Sequence, residues 1–166
     1  IEIANESIGS FGDRFQRHWL AGMRSKLGLL TEESDDTNLI EALLEWMRKT
    51  EADFTNTFRS LSNGGPAALS MDPVYVEWHQ RWQARLSRQP QSEAEVQETM
   101  HRHNPVVIPR NHKVEEALDA AVRVNDLGVM ERLLVALANP YDYAQDPPVE
   151  FSEPSTSELY QTFCGT

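Results

Sequence analysis

The sequence holds a single cysteine, Cys164, so no disulfide can close within it and no site of clustered thiolates is available for zinc or iron–sulfur. It has no run approaching the ~20 apolar residues that span a bilayer, so neither a membrane-spanning helix nor a membrane partner is expected. No charged-then-apolar stretch precedes a small-residue cleavage site, the pattern of a secretory leader. No Gly-rich phosphate loop is present, and no Gly-x-Ser-x-Gly elbow that would present a nucleophilic serine. Positive charge is scarce: 15 Lys and Arg stand against 26 Asp and Glu, a formal net charge of −11. Phosphate neutralisation needs the opposite imbalance, so nucleic acid is not an expected partner. An initiator methionine is missing too. The chain opens Ile1-Glu2-Ile3, and the expectation is a segment cut from a longer protein.

What is present is the mixture of an ordinary globular domain, 40% hydrophobic and 25% charged over 166 residues. Apolar residues recur near every 3.6 positions, and strand-like alternation is almost absent. Phe15, Trp19, Leu20, Met23 and Leu27 share one helical face, with Gly28 where a C-terminal cap belongs. The acidic run Glu32-Glu33-Ser34-Asp35-Asp36 precedes a stripe of Leu39, Ile40, Leu43, Leu44 and Met47. It lacks the alternating ligands, central Gly and closing Glu of a calcium loop, and reads as a solvated helix start favoured by the helix dipole. Phe54, Phe58 and Leu61 continue as a short helix ended by Asn63-Gly64-Gly65-Pro66. Asp72-Pro73 opens the next helix, where Trp78, Trp82 and Leu86 form a core stripe flanked by Arg81, Arg85 and Arg88. That cationic flank is of a kind that can grip an acidic partner.

Pro90 stops this helix, and Ser92-Glu93-Ala94-Glu95 is a capping box that starts another. Asn104-Pro105-Val106-Val107-Ile108-Pro109 is an extended connector, since each residue before a proline leaves the helical region. Val114, Leu118, Ala121 and Val122 mark one further helix, and Met130, Leu133, Leu134 and Leu137 another, with Asn125-Asp126-Leu127-Gly128 turning between them and Asn139-Pro140 ending the second. From residue 146 the composition turns to Pro, Ser, Thr and Glu. The expected architecture is all-α: an irregular bundle of six to seven helices over residues 1–145 with an extended Pro-rich connector, then a flexible tail over 146–166.

Candidate chemistry is sparse. His101, His103 and His112 flank the connector, but their spacing is not that of helical zinc ligands, so no metal site is expected in this segment. His18 and His79 stand alone on helices, and the pairs Glu93/Glu95 and Glu115/Glu116 read as helix-surface charge, so no catalytic residue is expected either. Cys164, near the end of the tail, is a possible redox thiol whose partner would lie outside this segment; an incidental cysteine is the alternative.

Several blocks taken in order resemble the C-terminal region of the selenoprotein O family, the YdiU-type pseudokinases. They are Trp19-Leu20-Ala21-Gly22-Met23-Arg24-Ser25-Lys26-Leu27-Gly28-Leu29, Ala52-Asp53-Phe54-Thr55-Asn56-Thr57-Phe58-Arg59, Asn104-Pro105-Val106-Val107-Ile108-Pro109-Arg110-Asn111, and the Asn139-Pro140-Tyr141 stop. Cys164, third from last, is similar to the family's terminal Cys or selenocysteine, although Gly165 and Thr166 stand where two serines are usual. The resemblance implies a parent protein that transfers AMP from ATP to Ser, Thr or Tyr hydroxyls of target proteins, with Mg2+ or Mn2+, through a kinase-like core before Ile1. It implies that this segment binds no cofactor itself and supports that core, its principal partner, alongside the parent's protein substrates. Phe54, Asn56, Phe58, Arg59, Asn104, Arg110 and Asn111 mix aromatics, amides and guanidinium as interfaces do, and are the expected contact residues; fixing internal turns is the competing role. The implied setting is a bacterial cytoplasm, with a mitochondrion as the alternative. A free-standing helical interaction module is the competing reading of the whole segment.

Overall fold

The computed structural model describes residues 2–65 and 72–155. Among them the chain forms eight helices and no strand: α1 (Glu2–Lys26), α2 (Asp36–Thr50), α3 (Phe54–Ser62), α4 (Pro73–Leu86), α5 (Glu93–His103), α6 (Asn111–Val124), α7 (Gly128–Leu137) and α8 (Val149–Ser152). They fall into two compact units, Ile1–His103 and Asn104–Thr166. The fold is all-α, an irregular bundle, as the periodicity predicts.

In the first unit, α2 supplies Leu39, Ile40, Leu43, Trp46 and Met47 to a core completed by Met23, Leu27, Phe58, Leu61, Trp78, Trp82 and Met100. The indoles are held at their polar edge as well as by burial. Trp46 Nε1 donates to Asp72 Oδ2 (2.7 Å), Trp78 Nε1 to the Leu39 carbonyl (2.8 Å) and Trp82 Nε1 to the Leu27 carbonyl (2.9 Å). A buried indole N–H without a partner is costly, and each of these has one. Asp72 also caps α4, accepting from the Val74 amide at 2.9 Å with Pro73 in the first turn. The box at Ser92 closes as its sequence requires: Glu95 accepts from the Ser92 amide, and the Glu95 amide donates to Ser92 Oγ. One expectation fails in α1. The helix reaches back to Glu2, and Phe15, assigned by periodicity to the apolar face, is 57% exposed.

The end of α1 shows why Gly28 is glycine. Its φ is +69°, its amide bonds the Ser25 carbonyl (3.2 Å) and the Leu29 amide bonds the Arg24 carbonyl (2.9 Å), the paired bonds of a Schellman turn. Side chains from the C-terminal part of α4 and just beyond it fix this turn and the loop after it. Trp82 takes the Leu27 carbonyl, Arg85 Nη2 takes the Thr31 carbonyl (2.7 Å), and Gln89 Nε2 takes the Gly28 carbonyl (2.9 Å) while its Oε1 accepts from the Leu30 amide (3.0 Å). Replacing Gln89 by Ala leaves two backbone groups unmatched in a buried place, at an expected cost of about 1–3 kcal/mol. Urea denaturation should show a lower midpoint with an unchanged slope.

The second unit is a hairpin of α6 and α7 with the 104–110 connector extended beside it. Asn125 at φ +54° ends α6, and the Gly128 amide donates to Asp126 Oδ1 to start α7. Its core is Val106, Val107, Ala117, Leu133 and Phe151. Within the stretch expected as a flexible tail, residues 149–152 form a short helical turn, and the Phe151 ring is 3% exposed. The Ser152 carbonyl there accepts from Arg110 Nη2 at 2.6 Å. One aromatic anchor among Pro, Ser and Glu is enough to hold the turn, and composition averaged over the tail hides it.

Candidate functional site

The strongest concentration of charge is in the first unit, and it is internal. Asp36, the first residue of α2, is 1% exposed. It receives Arg85 Nε on Oδ1 (2.7 Å), Arg24 Nε on Oδ2 (2.7 Å) and the Glu33 amide on Oδ2 (2.9 Å). Arg85 is itself 2% exposed and lies 3.3 Å from Glu33 through Nη1, while Arg88 clasps the same Glu33 carboxylate at 2.6 Å. Arg81 stands 4.0 Å from Asp35. The acidic run is therefore not simply a solvated helix start, and the arginine flank of α4 turns onto it. Burial pushes the Asp36 carboxyl up, but the bonds from Arg85, the Glu33 amide and Arg24 outweigh it and hold it below its ordinary 3.8. The bond from Arg88 likewise holds Glu33 low. Complementary residues at i and i+3 in both segments, Glu33/Asp36 and Arg85/Arg88, were the signal for this pairing; periodicity alone does not reveal it.

The expected contact residues divide between the units. In the first, Phe58 is wholly buried, Phe54 is 43% exposed with its ring centroid 4.7 Å from that of Phe58, and Asn56 and Arg59 are half-buried. Lys26 Nζ sits 5.6 Å from both ring centroids and donates to the His103 carbonyl (2.8 Å); burial lowers its pKa. In the second, Asn104 is fully buried and its carbonyl accepts from the Tyr143 hydroxyl (2.8 Å), Arg110 is largely buried, and Asn111 is exposed. Phe58 and Asn104 thus serve their own unit's interior, while Phe54 and Asn111 offer surface. Cys164 lies outside the described residues.

Two of the connector histidines and one of the paired glutamates are engaged by neighbouring groups. His101 Nε2 lies 3.2 Å from the Ser62 carbonyl and His103 Nδ1 2.8 Å from that of Thr99. Glu116 pairs with Lys113 at 2.8 Å, a bond that lowers its pKa. Among the described residues, no three His, Cys, Asp or Glu stand close enough together to hold a metal ion. An open cavity of about 720 Å³ in the second unit, lined by Val106, Val107, Arg132, Asp142, Glu150 and Phe151 among others, is predominantly acidic where it is charged. That lining disfavours a polyphosphate. Nucleotidyl transfer needs cations turned toward the phosphates and carboxylates grouped for the metal. Arg81 and Arg85 of α4, and Arg88 just beyond it, already face Asp35, Asp36 and Glu33.

The sequence matches say to which class of protein this chain of two helical units belongs. The family model described as protein adenylyltransferase SelO matches residues 2–138. The chain is 46% identical over 174 residues to the protein nucleotidyltransferase YdiU of Bacillus mycoides, covering 100% of this chain and 35% of that protein. It is 48% identical over 169 residues to the proteins of the same name from Bacillus cereus strain G9842 and Halalkalibacterium halodurans, again covering 100% of this chain, but 35% and 34% of those proteins. The chain belongs to the SelO family of protein adenylyltransferases. It spans about a third of the length of the curated relatives it matches. No described helix is long and apolar enough to cross a membrane.

Proposed function

We propose that this chain is the helical support region of an ATP-dependent protein adenylyltransferase, whose reacting groups lie in polypeptide outside it. The observation that carries this reading is the family match over residues 2–138, and it is supported by the finding that no three His, Cys, Asp or Glu among the described residues group for a metal. The chemistry is transfer of AMP to a Ser, Thr or Tyr hydroxyl of a protein substrate, with Mg2+ or Mn2+ held by the kinase-like part of the parent. Support from this region is mechanical: two well-packed helical units presenting Phe54, Arg59 and Asn111 toward that part of the polypeptide. Cys164 is a candidate for regulatory thiol exchange with a thiol elsewhere in the parent or on another protein.

The test is a transfer assay with α-labelled ATP and magnesium, run on this chain and on the full-length parent. Label should enter protein hydroxyls only with the full-length protein. Transfer by the 166-residue chain alone would overturn the division of labour.

A further inference from the structure

Helix α1 is 25 residues long, about 37 Å at 1.5 Å per residue, and its last third, from Trp19, is built into the first unit. Met23 and Leu27 are in the core, with Trp19 and Leu20 packed against it. Every residue from 11 to 18 is exposed, all round the helix. On that arm Phe11 and Phe15, one turn apart, are 67% and 57% exposed, their rings stacked on each other at 6.2 Å. Arg14 and His18 flank the pair at helical spacing, with no ion pair among the described residues. Gly9 and Gly12 interrupt the same stretch, and a methyl group at either would meet nothing within 4 Å.

A stretch this short is marginal as a helix in water without tertiary packing, and each interior glycine costs about 1 kcal/mol relative to alanine. Two neighbouring aromatic rings in water add to the reasons for a partner. Two copies of the chain, each of net charge −11, repel one another, and the flanking Arg14 does not offset that. The curated relatives, by contrast, each carry about two thirds of their length beyond the region that this chain matches. The family match begins at residue 2 and so includes the arm. We propose that α1 docks through Phe11 and Phe15 onto the part of its own parent polypeptide that lies outside this chain, with Arg14 meeting an acidic rim there. The proposal rests on the reading of this chain as one region of a longer transferase.

Hydrogen exchange read by mass spectrometry on residues 9–18 tests it, in the 166-residue chain and in the full-length parent. The arm should exchange freely in the chain alone and be protected about a hundredfold or more in the parent. The double substitution F11S/F15S should abolish that protection, and F11L/F15L should keep most of it. An arm that exchanges equally fast in both proteins overturns the proposal, as does protection indifferent to F11S/F15S. Concentration-dependent protection in the chain alone would assign the face to a second copy instead. A parent that protects the arm yet transfers no AMP would sink the function and leave the docking standing.

Discussion

Asp36→Ala should cost the first unit about 3–5 kcal/mol, the loss expected when one partner of a buried ion pair is removed and the others stay behind. Arg85 would keep a buried guanidinium facing an empty place, and Arg24 would lose its shortest bond. Against total stabilities of about 5–15 kcal/mol, such a loss brings the unit near unfolding at 37 °C. Combining the change with Arg85→Met should recover part of the loss, because the desolvated charge goes with its partner. The same geometry gives a pH dependence of fixed sign. The folded carboxyl titrates below its ordinary 3.8, so its contribution is fully present above the unfolded value and disappears as pH falls through the lower folded one. Acid unfolding of the wild type should therefore steepen below about pH 4, and Asp36→Asn, destabilised at neutral pH, should lack that component. Urea midpoints at pH 7 and pH 3 measure both.

Gly28→Ala should cost about 2–5 kcal/mol by two additive routes. A Cβ at φ +69° is strained, at about 1–2 kcal/mol. It would also stand 2.5 Å from Val96 Cγ1 and 3.1 Å from Met100 Cγ and Sδ, where α5 packs on the turn, and overpacking of this kind adds about 1–3 kcal/mol. Thermal denaturation should show a lower midpoint for Gly28→Ala, whereas Gly22→Ala, in the interior of α1 where the added methyl meets nothing within 4 Å, should hold or raise it. A loss at Gly28 no greater than the backbone strain of about 1–2 kcal/mol would mean that α5 yields to the methyl.

These two residues mark what was legible in the sequence. Gly28 was visible because a helix end needs a left-handed residue, and that need is local. The same is true of Asp72-Pro73 and the box at Ser92, whose partners lie within a turn. Asp36 was not visible from periodicity, because its value comes from Arg24 and Arg85, brought to it by packing across 12 and 49 residues of chain. Phe15 was misplaced for the converse reason: periodicity states which residues share a face and not how far along a helix that face is covered. Phe151 was hidden by the company it keeps. The family could be recognised from ordered blocks, yet Phe58 and Asn104 within those blocks prove to be interior, so a shared motif does not by itself say which of its residues are surface.

Calorimetric titration of Mg-ATP into the 166-residue chain and into the full-length parent tests the central claim most directly. Saturable binding by the parent and none by the chain is the expected result. Binding by the chain alone, at any stoichiometry, would contradict it and would place a nucleotide site among these helices.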